Sequence, residues 1–332
     1  MDIIIKKRDA YFCNLKAVLI LLVVYGHLIE PEMGKFDIVM ALYKFIYMVH
    51  MPLFVFLSGY FTVNGKTAVK QAKKILITYI ILQSSIMVAV NYLHIEIYVG
   101  NTPINYVSFT TPFWHLWYLI SLACWSMAGS VILFLDERYR ILKRSSMKVF
   151  IIVISVIVGC LAGMMPYIGR ELSLSRTLVF MPYFLGGMFI PKNIQWHKYK
   201  KRGIIALALG LILFIGSYET IDYSFLWQRS PYGDDMYTGI LCRGLCYITA
   251  VLLGFFVITH MPGRRCFFSK IGADTMNIYL WHPFIIMLMN GVGISENLFI
   301  FLAFPISMMI IYLIYMLFKW NSGLYGIFHS KT

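Results

Sequence analysis

The sequence predicts an all-α polytopic membrane protein, and three observations carry that prediction. Hydrophobic residues fill 60% of the 332 positions and charged residues only 13%, whereas a soluble domain carries about 25% charge. The mean hydropathy is +0.73. Apolar runs recur along the chain, and basic residues gather in the short segments between them. The net charge of +14 is therefore read as membrane topology and not as a nucleic-acid surface, so the bilayer is expected as a partner and nucleic acid is not.

About ten spans follow, in chain order: residues 12–29, 38–61, 75–93, 114–135, 149–165, 178–190, 204–218, 240–259, 277–293 and 298–318. The first lacks a small-residue cleavage site and reads as a retained helix. The second is interrupted by Pro52, and the fourth opens on the aromatic boundary Trp114-His-Leu-Trp117. The sixth is short for a crossing of about 20 residues. It is retained because the basic loops 136–148 and 191–202 must share a side. Of the 29 Lys and Arg, 22 fall in the N-terminus, the C-terminus and the loops 62–74, 136–148, 191–202 and 260–275. The opposite loops hold Lys35, Arg170 and Arg229. That asymmetry places both termini in the cytoplasm of a multi-pass protein of the plasma (inner) membrane. Residues 1–332 read as a single membrane domain with its spans between roughly 12 and 318. No repeat, soluble second domain or disulfide framework is visible. The outer loops 94–112 and 219–238 are long and aromatic, as a lid or an acceptor platform would be.

Chemistry concentrates in the first span. Ionisable groups in hydrocarbon cost several kcal/mol and mark function by default. Lys16 and His27 are separated by ten residues, so on a helix they point about 20° apart and stand roughly 16 Å apart along the axis. A cation near one membrane surface and an imidazole deeper in thus share a face. Glu30, three residues after His27, can face the same side and orient the imidazole. The bland alternatives are a histidine bonded to a neighbouring helix, a snorkelling lysine and an interfacial acid.

Arg8-Asp-Ala-Tyr-Phe-Cys-Asn-Leu-Lys16 through Gly26-His27 resembles the opening of the acyltransferase 3 family of membrane proteins, closest to its fucose 4-O-acetylase-like branch, which decorates surface polysaccharides. The resemblance continues in family order through His50-Met-Pro-Leu-Phe-Val-Phe-Leu-Ser-Gly-Tyr-Phe61, Trp114-His-Leu-Trp-Tyr-Leu119, Ser175-Arg-Thr-Leu-Val-Phe-Met-Pro-Tyr-Phe-Leu-Gly186 and Asn277-Ile-Tyr-Leu-Trp-His-Pro283. It implies a ten-helix unit that takes an acyl group from cytoplasmic acyl-CoA and passes it to a sugar hydroxyl at the outer face. The family signature of a basic residue, ten intervening residues and a histidine maps onto Lys16 and His27. A basic pair three residues apart maps onto Lys70 and Lys73, with Lys74 adjacent. Two departures stand out: Cys13 where many members carry Asp, and Thr78 where many carry Pro. No hydrolase-like domain accompanies the spans, which implies that the membrane unit alone completes the transfer.

The expected roles follow. His27 is the general base, oriented by Glu30. Lys16, Lys70 and Lys73 bind the donor's phosphates or pantetheine. His50, Trp117, Arg176 and His282 are possible substrate contacts. Against these stand a histidine satisfying the backbone broken at Pro52, an aromatic belt and a kink at Pro283. Arg176 and Arg243 go against the positive-inside bias and call for a carboxylate or an anionic ligand. Asp234 and Asp235 offer sugar hydrogen bonds or are solvated loop acids. Ser58-Gly59 reads as close helix packing, since it lacks a nucleophile elbow. Cys242 and Cys246, one turn apart, read as packing. No metal-ligand spacing is present, so no metal and no bound cofactor are expected.

The expected function is a membrane O-acyltransferase moving acetyl from acetyl-CoA to a cell-envelope polysaccharide or its lipid-linked precursor. A permease for an anionic solute is the rival, supported by Pro52 and the intramembrane cations; a non-catalytic membrane sensor is the third reading. The acyl group, the sugar, its hydroxyl and the oligomeric state are not encoded in any motif.

Overall fold

A computed structural model of the chain describes residues 10–292 and 300–320. Within them the fold is all-α, apart from one small hairpin. In chain order the helices are α1 (Ala10–Ile29), α2 (Asp37–Phe61), α3 (Gly65–Asn91), α4 (Trp117–Tyr139), α5 (Ser145–Leu161), α6 (Leu174–Phe189), α7 (Lys200–Gly216), α8 (Met236–His260), the short α9 (Phe267–Gly272), α10 (Thr275–Gly291) and α11 (Ile300–Trp320). The strands β1 (Ile97–Val99) and β2 (Thr102–Ile104) pair antiparallel in the loop after α3, with Ile97 opposite Ile104.

Each apolar segment read from the sequence coincides with a helix, α9 being the addition. Seven helices (α1 to α5, α8 and α11) are long and apolar enough to cross a membrane. The other three long helices, α6, α7 and α10, have only 16, 17 and 17 residues. For α6 the brevity has a physical reason. It is packed among its neighbours, so it is not required to match the hydrocarbon thickness by itself. The segment 62–74, expected as a loop, is mostly helix: Asn64 caps α3 by accepting from Thr67 N at 3.1 Å. The terminal segments, on which the cytoplasmic placement of both ends rests, lie outside the described residues, as does the start of the last expected span.

Connections of like charge meet at the same end of the bundle. At the lysine-rich end, Asn14 donates to the carbonyls of Pro262 (2.8 Å) and Arg264 (2.9 Å) and accepts from Ser269 Oγ (2.6 Å). Tyr60 Oη donates to Lys192 O there at 2.9 Å. At the opposite end Lys44 Nζ reaches Tyr218 O (2.7 Å), and Trp227 Nε1 donates to Tyr43 Oη (2.8 Å).

Helices α1, α2 and α6 form the interior, while α3, α5 and α7 turn Ile77, Ile81, Phe150, Ile154, Ile205 and Ile212 outward, as lipid-facing helices do. Because lipid tails are as apolar as leucine, close backbone approach replaces the hydrophobic effect as the source of helix association. Here α2 and α6 cross with a reciprocal contact. A Cβ on Gly59 would stand 1.8 Å from Phe184 O, and one on Gly187 would stand 1.9 Å from Phe56 O. Ser58-Gly59 is thus a packing element: Ser58 Oγ donates to Phe54 O at 3.0 Å and shares a hydrogen bond with Tyr118 Oη at 2.8 Å.

Gly59→Ala and Gly187→Ala should each destabilise the protein by about 1–3 kcal/mol through overpacking. Gly186→Ala, whose Cβ meets nothing within 4 Å, should be neutral. Thermal unfolding in detergent distinguishes them. Asp235 caps α8 through Thr238 N at 3.0 Å, and these hydrogen bonds hold its carboxyl below the usual carboxylate value. A depressed folded-state pKa gives stability that is present above the unfolded pKa and lost as pH falls. Asp235→Asn should therefore flatten the acid side of the stability profile.

Candidate active site

His27 lies on the last turn of α1, and Glu30 opens the 3-10 turn that follows, Glu30–Glu32. Their side chains are partly buried, and His27 Nδ1 stands 3.5 Å from Glu30 Oε2. That is an ion-pair distance without an aligned hydrogen bond, since neither atom has a hydrogen-bond partner. Two other histidines converge on this point. The His282 ring centre on α10 is 5.5 Å from that of His27, and His115 is 6.2 Å from His282. His282 Nδ1 stands 2.8 Å from Ile278 O. A carbonyl only accepts, so Nδ1 donates and Nε2 keeps a lone pair. That Nε2 is buried without a hydrogen-bond partner, as are both ring nitrogens of His115. A helix-kinking role for His282 at Pro283 and a membrane-belt role for His115 are therefore incomplete descriptions. Both side chains are buried beside His27, and the Tyr279 hydroxyl donates to the His115 carbonyl.

Trp114, and not the Trp117 singled out above, meets His27: the rings pack edge to face with centres 4.6 Å apart. Trp114 takes a positive φ of 32° to do so. For a bulky side chain such a backbone costs roughly 1–3 kcal/mol and persists only where its surroundings enforce it. The enforcement comes from α3. Gln83 donates to Ser108 O (2.7 Å) and Thr111 O (3.0 Å) and accepts from Phe113 N (2.9 Å). Asn91 exchanges two bonds with Val107, at 2.8 and 2.9 Å. Sequence reasoning missed both amides. The available signal was a pair of amides, eight residues apart, inside an expected span.

Arg176 points from the first turn of α6 to Trp227 O (2.8 Å, from Nε), with its guanidinium 4.7 Å from the Trp117 ring centre. Trp117 therefore backs Arg176 and is stacked on Phe180 at 5.5 Å. His50 is buried, and its Nδ1 lies 2.6 Å from Ile46 O, with Tyr47 against its ring. Ile46 O is the carbonyl one turn before His50 and not the Met48 O that Pro52 leaves free, so this contact does not mend the backbone broken at Pro52. Arg243 is buried on α8 between Phe225 (4.9 Å) and Tyr232 (5.2 Å) instead of lying at a helix end. Cys246 is buried with it, and Cys242 contacts Thr220 O.

At the lysine-rich end, Lys16 Nζ lies 5.3 Å from the Phe61 ring centre, at the close of α2. Lys70 and Lys73 are exposed on the first turns of α3, whose packed face carries Ala68 and Ala72. Cys13 sits where α1 crosses α9, its carbonyl 1.6 Å from the place a Cβ on Gly272 would take. Among the described residues no group of three or more His, Cys, Asp or Glu is placed to hold a metal ion.

The chemical capability is therefore local. One imidazole faces a carboxylate, a second presents a lone pair, and an indole closes one side. Gln83→Ala removes three hydrogen bonds, each worth about 1 kcal/mol net. It should raise amide exchange across residues 107–114 severalfold while leaving α6 and α8 protected, as hydrogen–deuterium exchange would show.

A family model described as an acyltransferase domain matches residues 9–317. No curated protein and no solved structure matches the chain.

Proposed function

Because the chain belongs to the acyltransferase 3 family and carries several helices fit to cross a membrane, it is a multi-pass membrane acyltransferase; we propose that it is an O-acetyltransferase of cell-surface carbohydrate. In this reading acetyl-CoA enters from the lysine-rich, cytoplasmic side, and a sugar hydroxyl of a polysaccharide or lipid-linked precursor enters at the opposite face. The resemblance of its motifs to the fucose 4-O-acetylase-like branch supports that acceptor class.

The observation that carries the proposal is the placement of His27 against Glu30 at 3.5 Å, on the same helix as Lys16. Catalytic hydrogen bonds are often long before substrate is bound. With Nδ1–H turned to the carboxylate, Nε2 is the basic nitrogen. It takes the proton from the acceptor hydroxyl as that oxygen attacks the thioester carbonyl carbon. The C–O bond forms, the C–S bond breaks, and the thiolate of CoA leaves with the electron pair. The proton held on His27 then passes to the thiolate, restoring the neutral imidazole. Lys16 at the inner end, with Lys70 and Lys73, supplies positive charge for the donor's phosphates.

A general base contributes about 10²–10⁴-fold to such a reaction. Cells lacking the protein should lose O-acetyl proton NMR signals from purified surface polysaccharide. Wild type should restore them, His27→Ala should not, and Glu30→Gln should restore them only in part, about tenfold below wild type. Identical spectra in all strains would defeat the polysaccharide acceptor.

A further inference from the structure

Of the basic residues on the lysine-poor side, Arg170 and Arg229 join Arg176 around one small open cleft of about 40 Å³, completed by Thr111, Trp114, Gly169 and Ser173. Three guanidinium groups in one cleft repel one another and require a reason. Arg176 and Arg229 are each backed by an indole, Trp117 at 4.7 Å and Trp227 at 4.4 Å. Among the described residues no carboxylate stands within ion-pair distance of any of the three. Glu171 on the rim is engaged by Thr111 Oγ1 at 3.1 Å.

Donors are left over as well. The hydroxyl of Ser173, a residue 2% exposed, and Nε of Arg229 are buried without a hydrogen-bond partner. Burial and the Arg170 charge both push the Arg229 guanidinium below its ordinary value, against the opposing field of Glu30. The local backbone is strained to hold this shape. Trp114, Leu172, Ser173 and Gln228, all lining or bordering the cleft, have positive φ between 32° and 56°. Such residues gather at ligand clamps. Trp114 is also the ring that packs on His27, so the cleft and the histidines share one wall.

We propose that this cleft is a binding site for an oxyanion, a phosphate or carboxylate group carried by the acceptor beside the hydroxyl that is acylated. Planar guanidinium forks and a serine hydroxyl match the oxygens of such a group. The identity of the carrier rests on the acyl-transfer reading above; the anion site itself does not. Two sources share this chemistry: the diphosphate of a lipid-linked sugar and the carboxylate of a uronic acid.

The test is calorimetric titration of the full chain, held in phosphatidylcholine nanodiscs, with inorganic pyrophosphate, glucuronate and glucose. Pyrophosphate or glucuronate should bind and glucose should not; whichever anion binds more tightly identifies the source. Arg229→Gln and Arg170→Gln should each weaken anion binding about tenfold, and Arg229→Lys less. Lys35→Gln, a cation of the same side outside the cleft, should change nothing. Thermal unfolding verifies that each variant folds. Absence of anion binding at millimolar concentration, or binding indifferent to all the arginine substitutions, overturns the proposal. Polysaccharide O-acetylation persisting unaltered in Arg229→Gln cells, with anion binding absent, would remove the cleft and leave acyl transfer standing. Anion binding without any acetyl transfer would do the reverse.

Discussion

Polar groups in apolar surroundings need partners within the chain, and the molecule is organised by how it meets that constraint and where it leaves it unmet. Serine and threonine hydroxyls fold back on carbonyls a turn earlier: Ser58 on Phe54, Thr62 on Ser58, Thr177 on Ser173 and Ser307 on Ala303. Amides on the long helices hold loops instead, Asn14 at one end and Gln83 and Asn91 toward the other. Many of the buried atoms without a partner then collect around one place. His27, Glu30, His115, Ser173, Arg229 and His282 all have such atoms, and they surround Trp114 or stand one residue layer from it. Hydrogen-bonding capacity unused by folding is capacity available to a substrate.

The charge layout repeats the division of labour. Lysine, a compact and strongly hydrated charge, dominates the basic end. Arginine stacked on tryptophan gathers at the opposite end, and a planar guanidinium so backed offers a directional, partly desolvated set of donors. Net charge alone conceals this. The residue type and its aromatic partner carry the information.

Much of the fold was legible in the sequence because hydrophobic runs and loop charges are local signals. The position of every long helix followed from them, and the approach of Glu30 to His27 followed from their three-residue spacing, although Glu30 opens the 3-10 turn beyond the helix. What was not legible depends on contacts between distant segments. Trp114 and Trp117 are indistinguishable as members of one aromatic motif. Only the Gln83 clamp, about 30 residues away in the chain, turns the first toward His27 and leaves the second to Arg176. His282 read as a partner of Pro283, since its neighbour across the bundle is more than 250 positions away. Arg170 and Arg229 looked like incidental exceptions to a charge rule, and only the fold shows that they share a cleft.

The crossing of α2 and α6 has a mechanical consequence. Their backbones touch at Gly59 and Gly187, near the lysine-rich ends of both helices. Each helix carries a proline further along toward the arginine side, Pro52 in one and Pro182 in the other. Proline removes a backbone hydrogen bond and sets the place where a helix bends. Bending there turns the two helices like the blades of shears whose rivet is the glycine contact. The blades that sweep are the halves bearing Tyr43, Tyr47 and Arg176, so the arginine end can widen while the lysine-rich end keeps its shape.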